Sequence, residues 1–298
     1  MVARWLFSLV VIATGACGAH ADRRPDTAET VTLAVVSGLA GAVAGCDSEG
    51  GGLARLAARL QELRAGGPFA LVVVGDTFVA EADPPAALFE AERQRAQGVA
   101  RVLARFEPVA MVRGPADLGV QRGFVEGLGR ELRLPLFAAR TTPVPRLRVD
   151  SVIVERGGVR LGIVGIPGAA VPEVASYTAA ALALRAQGAE LVIALVPERA
   201  ERALAIAREL RRVDVVVTGG SAGAPLPPRL VGAALVVDGA DRGRALGLLR
   251  LHPRGGGPWT FDERGDEPMP PPVAPPGRSV TFTLEPIGPP QPCAVTPR

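Results

Sequence analysis

A chain of 298 residues with 48% hydrophobic but only 4% aromatic residues is long enough to bury a sizeable core, and that core must be built from Val, Leu and Ala. All 33 of its basic side chains are arginine, and the formal charge is only +3. The arginines are scattered along amphipathic stretches such as LARLAARLQELR beside acids, without the aromatic-interleaved basic cluster of a nucleic-acid groove, so no nucleic-acid partner is expected.

The first 21 residues read as a signal peptide. Arg4 precedes the apolar run Leu6–Ala13, then come Thr14-Gly15-Ala16 and Cys17, and that run falls far short of a membrane span. Two processing sites compete: TGAC resembles a bacterial lipobox with Cys17 as the lipidated residue, and Ala19-His20-Ala21 is an A-x-A site with cleavage after Ala21. Either way the protein is expected to be exported, to the periplasm or as an outer-membrane lipoprotein held through a lipid anchor. Export leaves Cys46 and Cys293 in an oxidising compartment, where they either pair or stay as two free thiols. No C-x-x-C spacing supports a thiolate zinc site.

Strand-like and helix-like segments then alternate. VTLAVVS (31–37) reads as a buried strand, GLARLAARLQELRA (52–65) as a helix with Leu53, Leu56, Leu60 and Leu63 on one face, and FALVVVGD (69–76) as a second strand. Further strands are predicted at 109–114, 134–140, 191–196 and 213–220, and helices at 86–106, 172–187 and 198–211. SVIVERGGVRLGIVG predicts a hairpin across Arg156-Gly157-Gly158, and AALVVDGADRGRALGLLRL a second one across an Asp/Gly-rich turn. Beyond residue 251 the composition turns to Pro and Gly, so 252–298 is predicted as an extended tail with a short strand at SVTFTLE. Apolar strands divided by helices, with hairpins interrupting them, indicate an α/β fold with mixed sheets.

The order VVSGLAG, GGLARLAARLQELR, LVVVGDTF, VRGPADLG, LPLFAAR, GVRLGIVGI, LVIALVPE, VDVVVTGG, ALGLLRL resembles the calcineurin-like metallophosphoesterase domain of the bacterial 5'-nucleotidase family, over residues 31–251. The resemblance implies a four-layer α/β/β/α sandwich of two mixed sheets. It also implies that the C-terminal nucleotide-recognition domain of that family lies outside these 298 residues.

The family's two metal ions sit at strand ends on D-x-H, the Asp of G-D, the Asn and His of G-N-H-E, a lone His and G-H-x-H. Carried over residue by residue, the first pair falls on Gly38 and Ala40. The Asp of G-D is present as Asp76. Pro115 and Ala116 stand at the Asn and His positions, with the acid Asp117 next to them, Pro197 stands at the lone His, and Ser221 and Gly223 stand in GGSAG. One ligand position of the set is kept.

A two-metal centre works by holding both ions on a shared set of donors so that they acidify a bridging water and clamp the phosphate oxygens. The only imidazoles are His20, in the export region, and His252, past the last expected strand, so no shift of register restores the set. Asp76 therefore reads as a relic ligand, as a turn or helix cap, or as half of a hard-ion site with Asp117. GGSAG also satisfies G-x-S-x-G, with Ser221, Asp238 and His252 in the chain order of a serine-hydrolase triad, but APLPPRL follows where a helix is needed.

The expected function is a non-catalytic, pseudoenzyme-like envelope protein with a binding or scaffold role, with no catalytic residue and no cofactor. Its partner would be an envelope protein or a small ligand. The contrasting expectation is a residual phosphoesterase using Asp76 and nearby acids with Mn or another divalent metal. The Pro-rich tail as a recruitment module is a third.

Overall fold

The computed structural model describes residues 29–42, 52–81, 83–118, 123–137, 150–165, 174–219, 226–239, 243–262 and 277–287. The signal segment with Cys17, the cysteines Cys46 and Cys293, and Ser221 and Gly223 lie outside these residues.

The first half of the chain builds one sheet by parallel crossovers. β1 (Val31–Ser37), β2 (Phe69–Gly75) and β3 (Ala110–Arg113) pair in parallel, joined by α1 (Leu53–Ala65) and α2 (Phe89–Ala104). Helix α3 (Phe124–Glu131) follows β3. This helix is not legible in the sequence, because a two-turn segment containing Gly127 and Gly129 gives a weak helical signal. Leu53, Leu56 and Leu60 of α1 are buried against Ala34, Val36, Leu71 and Val73 on the outer face of the sheet. Among its described residues, the segment predicted as a strand at 134–140 contributes a single bridge, Leu136 to Met111.

The second half builds the other sheet. β4 (Asp150–Arg156) and β5 (Val159–Gly165) form the expected hairpin, its turn made by Gly157 at φ 52° and Gly158 at φ 72°. Both central residues at positive φ give the tight turn whose twist matches the flanking strands. Helix α4 (Val174–Ala186), β6 (Leu191–Val196), α5 (Ala200–Glu209) and β7 (Val215–Thr218) continue in parallel. β8 (Arg229–Val231) and β9 (Ala234–Asp238) are an antiparallel pair, with β9 parallel to β7.

The second predicted hairpin is not one. β9 and β10 (Ala245–His252) belong to different sheets: β10 leaves β9, crosses the gap and pairs antiparallel with β1. Both strands are apolar on both faces and so satisfy either sheet, and pairing between them leaves no mark in the sequence.

The other departure is at the C-terminus. β11 (Thr260–Asp262) and β12 (Ser279–Pro286) lie inside the first sheet, β12 running along all of β10 from Ala245↔Pro286 to His252↔Ser279. The sheet therefore continues past the boundary expected at residue 251. The alternation Val280, Phe282, Leu284 puts three apolar side chains into the core between the sheets. The Pro-rich run at 268–277 is the connection that precedes this strand.

The sheet orders are β11-β12-β10-β1-β2-β3 and β4-β5-β6-β7-β9-β8. One core lies between the sheets, from Val31, Leu33, Val35, Val72 and Val74 to Ile163, Ile193, Val217 and Val237. A second lies under α1, α2 and α3 and a third under α4 and α5. This is the four-layer α/β/β/α sandwich that the resemblance implies. Among the described residues, no helix is long and apolar enough to cross a membrane.

Candidate functional site

The ends of β1, β2 and β3 converge on the ends of β6, β7 and β9; three glycines make that meeting possible, and a fourth, Gly114, lets the loop after β3 approach the one after β2. A Cβ on Gly75 would lie 1.5 Å from Gly219 O, and one on Gly219 would lie 2.6 Å from Val74 O. A Cβ on Gly239 would meet Ser37 Oγ at 2.5 Å, and one on Gly114 would meet Asp76 Oδ1 at 2.2 Å. The two sheets touch backbone to backbone here. Gly114 of RGPAD and Gly219 of GGSAG are close-approach residues, a stricter requirement than a turn makes.

The first loop continues alongside the second. Gly38 N donates to Val74 O at 3.3 Å, Ala40 N to Asp76 O at 2.9 Å and Gly41 N to Thr77 O at 3.1 Å. Gly38, Ala40 and Gly41 all have positive φ, a conformation that turns Leu39 into the core under the helices, where it is fully buried. Ala40 at φ 50° holds this conformation without glycine's freedom. In this loop, then, the apolar side chain is a structural plug and the backbone amides are spent on the neighbouring loop.

Asp76 and Asp117 do meet, each bound to the other's loop. Asp76 Oδ1 accepts Ala116 N at 2.7 Å, at the start of the 3-10 turn Ala116–Leu118. Asp117 accepts Thr77 N through both oxygens at 3.1 Å, Phe78 N at 2.7 Å and Val79 N at 3.3 Å. Both carboxylates are buried, Asp76 at 3% and Asp117 at 1% exposure. Burial pushes the Asp117 carboxyl up to about 7, opposed by the N–H groups of Thr77 and Phe78 and reinforced by the charge of Asp76.

Gly38, Ala40, Pro115, Ala116 and Pro197 all lie at these strand ends. Gly38, Ala116 and Pro197 are buried, Ala40 is half-buried and Pro115 is exposed. None has a side-chain donor atom for a cation. Among the described residues no three His, Cys, Asp or Glu side chains are grouped to hold a metal. A two-metal centre of the kind the resemblance implies does not fit the residues described here, because the carboxylates at this end, Asp76, Asp117 and Asp238, form no group that could hold a metal and each accepts a backbone N–H.

One residue of the site escaped the sequence reading. Arg113, at the end of β3, is only 2% exposed and pairs through Nη1 with Glu126 Oε1 of α3 at 2.5 Å. An arginine closing the apolar run VAMVR was the available signal. The triad-like order Ser221, Asp238, His252 fails on geometry. Asp238 ends β9 at the converging pole, where its carboxylate accepts Leu226 N, while His252 lies beside Thr30 at the start of β1, the opposite end of the strands.

No protein-family model and no curated protein matches the sequence. Solved structures do match the fold. The 5'-nucleotidase precursor of Thermus thermophilus aligns at 20% identity over 88% of this chain and 56% of its own, with a TM-score of 0.60. The sulfate thiohydrolase SoxB of the same species aligns at 17% over 86% and 56%, with a TM-score of 0.62. The calcineurin-like phosphoesterase YfkN of Bacillus subtilis aligns at 15% over 87% and 91%, with a TM-score of 0.60. The chain spans about half the length of the first two. With its two sheets and flanking helices in the same arrangement, it carries a metallophosphoesterase-like domain of the 5'-nucleotidase and calcineurin-like phosphoesterase fold.

Proposed function

We propose that this protein is an exported, lipid-anchored, non-catalytic member of that fold, holding a binding or scaffold role in the cell envelope for an envelope protein or a small ligand. The observation that carries this reading is the use of Asp76 and Asp117: at the strand ends where phosphoesterase chemistry would be built, both carboxylates serve as acceptors for backbone N–H groups. Two carboxylates that hold facing loops together through four backbone N–H groups form a structural cross-link. The apolar residues at Gly38, Ala40, Pro115, Ala116 and Pro197 support the same reading. The leader ending at Cys17 supports export and anchoring.

The test is the metal content of the mature protein after incubation with Mn and Zn and desalting, measured beside Asp76→Ala, with nucleotide and phosphodiester hydrolysis assayed on the same samples. The expected result is no stoichiometric metal and no turnover in either. Stoichiometric metal that is lost in Asp76→Ala would overturn the reading. Mass spectrometry of the mature N-terminus tests the anchor: a chain beginning at lipidated Cys17 is expected, and one beginning at Asp22 would refute it.

A further inference from the structure

We propose that β4 is a self-pairing edge, through which two copies of this chain join their second sheets into one continuous antiparallel sheet about a two-fold axis at Ile153. β4 is the end strand of its sheet, with β5 on one side and no strand on the other among the described residues. It is seven residues long without proline, and Val152, Ile153 and Val154 are half-buried in its centre. A strand of this length and composition is one that proteins ordinarily blunt or cover.

The backbone defines which groups face outward. The two-residue turn makes Arg156 and Val159 a hydrogen-bonded pair, so by alternation the N–H and C=O of Ser151, Ile153 and Glu155 point away from β5. The neighbouring residue in the register agrees: Arg160, opposite Glu155, turns both its backbone groups to β6, donating N–H to Glu190 Oε1 and accepting Glu190 N. Glu155 O is directed outward as well, since it accepts Nη1 of Arg156.

The sequence of this strand, Asp-Ser-Val-Ile-Val-Glu-Arg, is complementary to itself when reversed about Ile153. Ser151, Ile153 and Glu155 then face Glu155, Ile153 and Ser151 of the second copy as hydrogen-bonded pairs, which are the residues whose backbone groups are directed outward. Asp150 and Arg156 face Arg156 and Asp150 of the second copy, with opposite charge at both ends. Val152 and Val154 face one another in the middle. A one-residue slip would bring residues with inward-turned backbone groups onto the edge, so the register is set by the pattern.

Helix α4 packs over β4, β5 and β6. Its exposed positions are Ala175, Ala179, Leu182, Ala183 and Ala186, Leu182 being 49% exposed, and no charge occurs before Arg185. A surface helix ordinarily turns charged residues to water. Charge complementarity and outward backbone groups select a second copy of the chain as the occupant.

The experiment is sedimentation velocity on the mature chain over a range of concentrations, comparing wild type with Ser151→Arg, Ser151→Glu and Ile153→Pro. Position 151 is exposed, so both substitutions leave the fold intact, and they are expected to act in opposite directions. Arginine faces Glu155 of the second copy at both ends and tightens association roughly fivefold, while glutamate loosens it by a similar factor. Ile153→Pro removes an outward donor without removing a bond to β5 but also loses the packing of Ile153 under α4, so it is expected to leave a monomer that still unfolds cooperatively, at a lowered thermal midpoint. A wild-type chain that remains monomeric to about 0.1 mM, or a dimer equally tight in Ser151→Arg and Ser151→Glu, would overturn the proposal.

Discussion

The two ends of the sheets solve the same problem with different chemistry. At the converging end, Asp76 and Asp117 are almost fully buried and are bound by the amides of each other's loops. At the opposite end, the carboxylates are half-buried and held by cations as well as by the backbone amides of Arg160 and Val192. Glu190, just before β6, pairs with Arg278, while its carbonyl accepts Trp259 Nε1 at 2.9 Å and Arg185 Nη1 at 2.8 Å. Arg278 also lies over the Trp259 ring, 4.4 Å from its centroid. Asp214 pairs with Arg185 and accepts Val192 N at 2.6 Å. This second cluster ties β11 and β12, from the far end of the sequence, to the other sheet. At the converging end closely approaching loops bring several backbone amides to one buried carboxylate, whereas at the opposite end long arginines span a wider gap, join the amides of Arg160 and Val192, and leave the carboxylates partly in water.

The most severe way to break this contrast is Gly75→Ala. The new methyl group would sit 1.5 Å from Gly219 O, at a backbone φ of 85°, so the sheets must separate at the converging end. A loss of more than about 4 kcal/mol is expected, read by urea unfolding. Unchanged stability would show that this end does not close as described.

Asp117→Ala leaves three buried N–H groups without their acceptor and is expected to cost about 3 kcal/mol, while Asp117→Asn keeps one acceptor oxygen and costs less. The pair also sharpens the electrostatics. With its carboxyl raised to about 7, folded Asp117 keeps a proton that the unfolded chain has already lost, so stability is fullest at low pH and falls as pH rises from about 4 to 7. In Asp117→Asn this slope should flatten, checked by midpoints across that range. A slope that persists unchanged would assign it to other groups.

The smallest effect is expected at the other end. Glu190→Gln keeps its carbonyl contacts and loses only a partly exposed ion pair, so it should cost about 1 kcal/mol. The loss should shrink at high salt, which the deeply buried Asp117 contacts would not do.

Much of this was legible from composition and spacing. Val31–Ser37, Leu53–Ala65 and Leu191–Val196 read correctly as elements because each carries its own period or its own apolar run. The hairpin at Gly157-Gly158 was legible because two glycines in sequence permit few other turns. The four-layer arrangement followed from the resemblance, and the positions Gly38, Ala40, Pro115, Ala116 and Pro197 could be placed at strand ends on the same ground.

What the sequence by itself determined is the list of groups available at the converging end: the acids Asp76, Asp117 and Asp238, several glycines and no histidine. What those acids do was decided by tertiary structure alone, since Asp76 and Asp117 stand 41 positions apart and acquire their amide partners only when two loops close on each other. The same holds for the sheet to which a strand belongs. Val280 and Phe282 alternate as any half-buried strand does, and β9 and β10 are apolar on every side; pairing is a property of two segments together, and neither one encodes its partner.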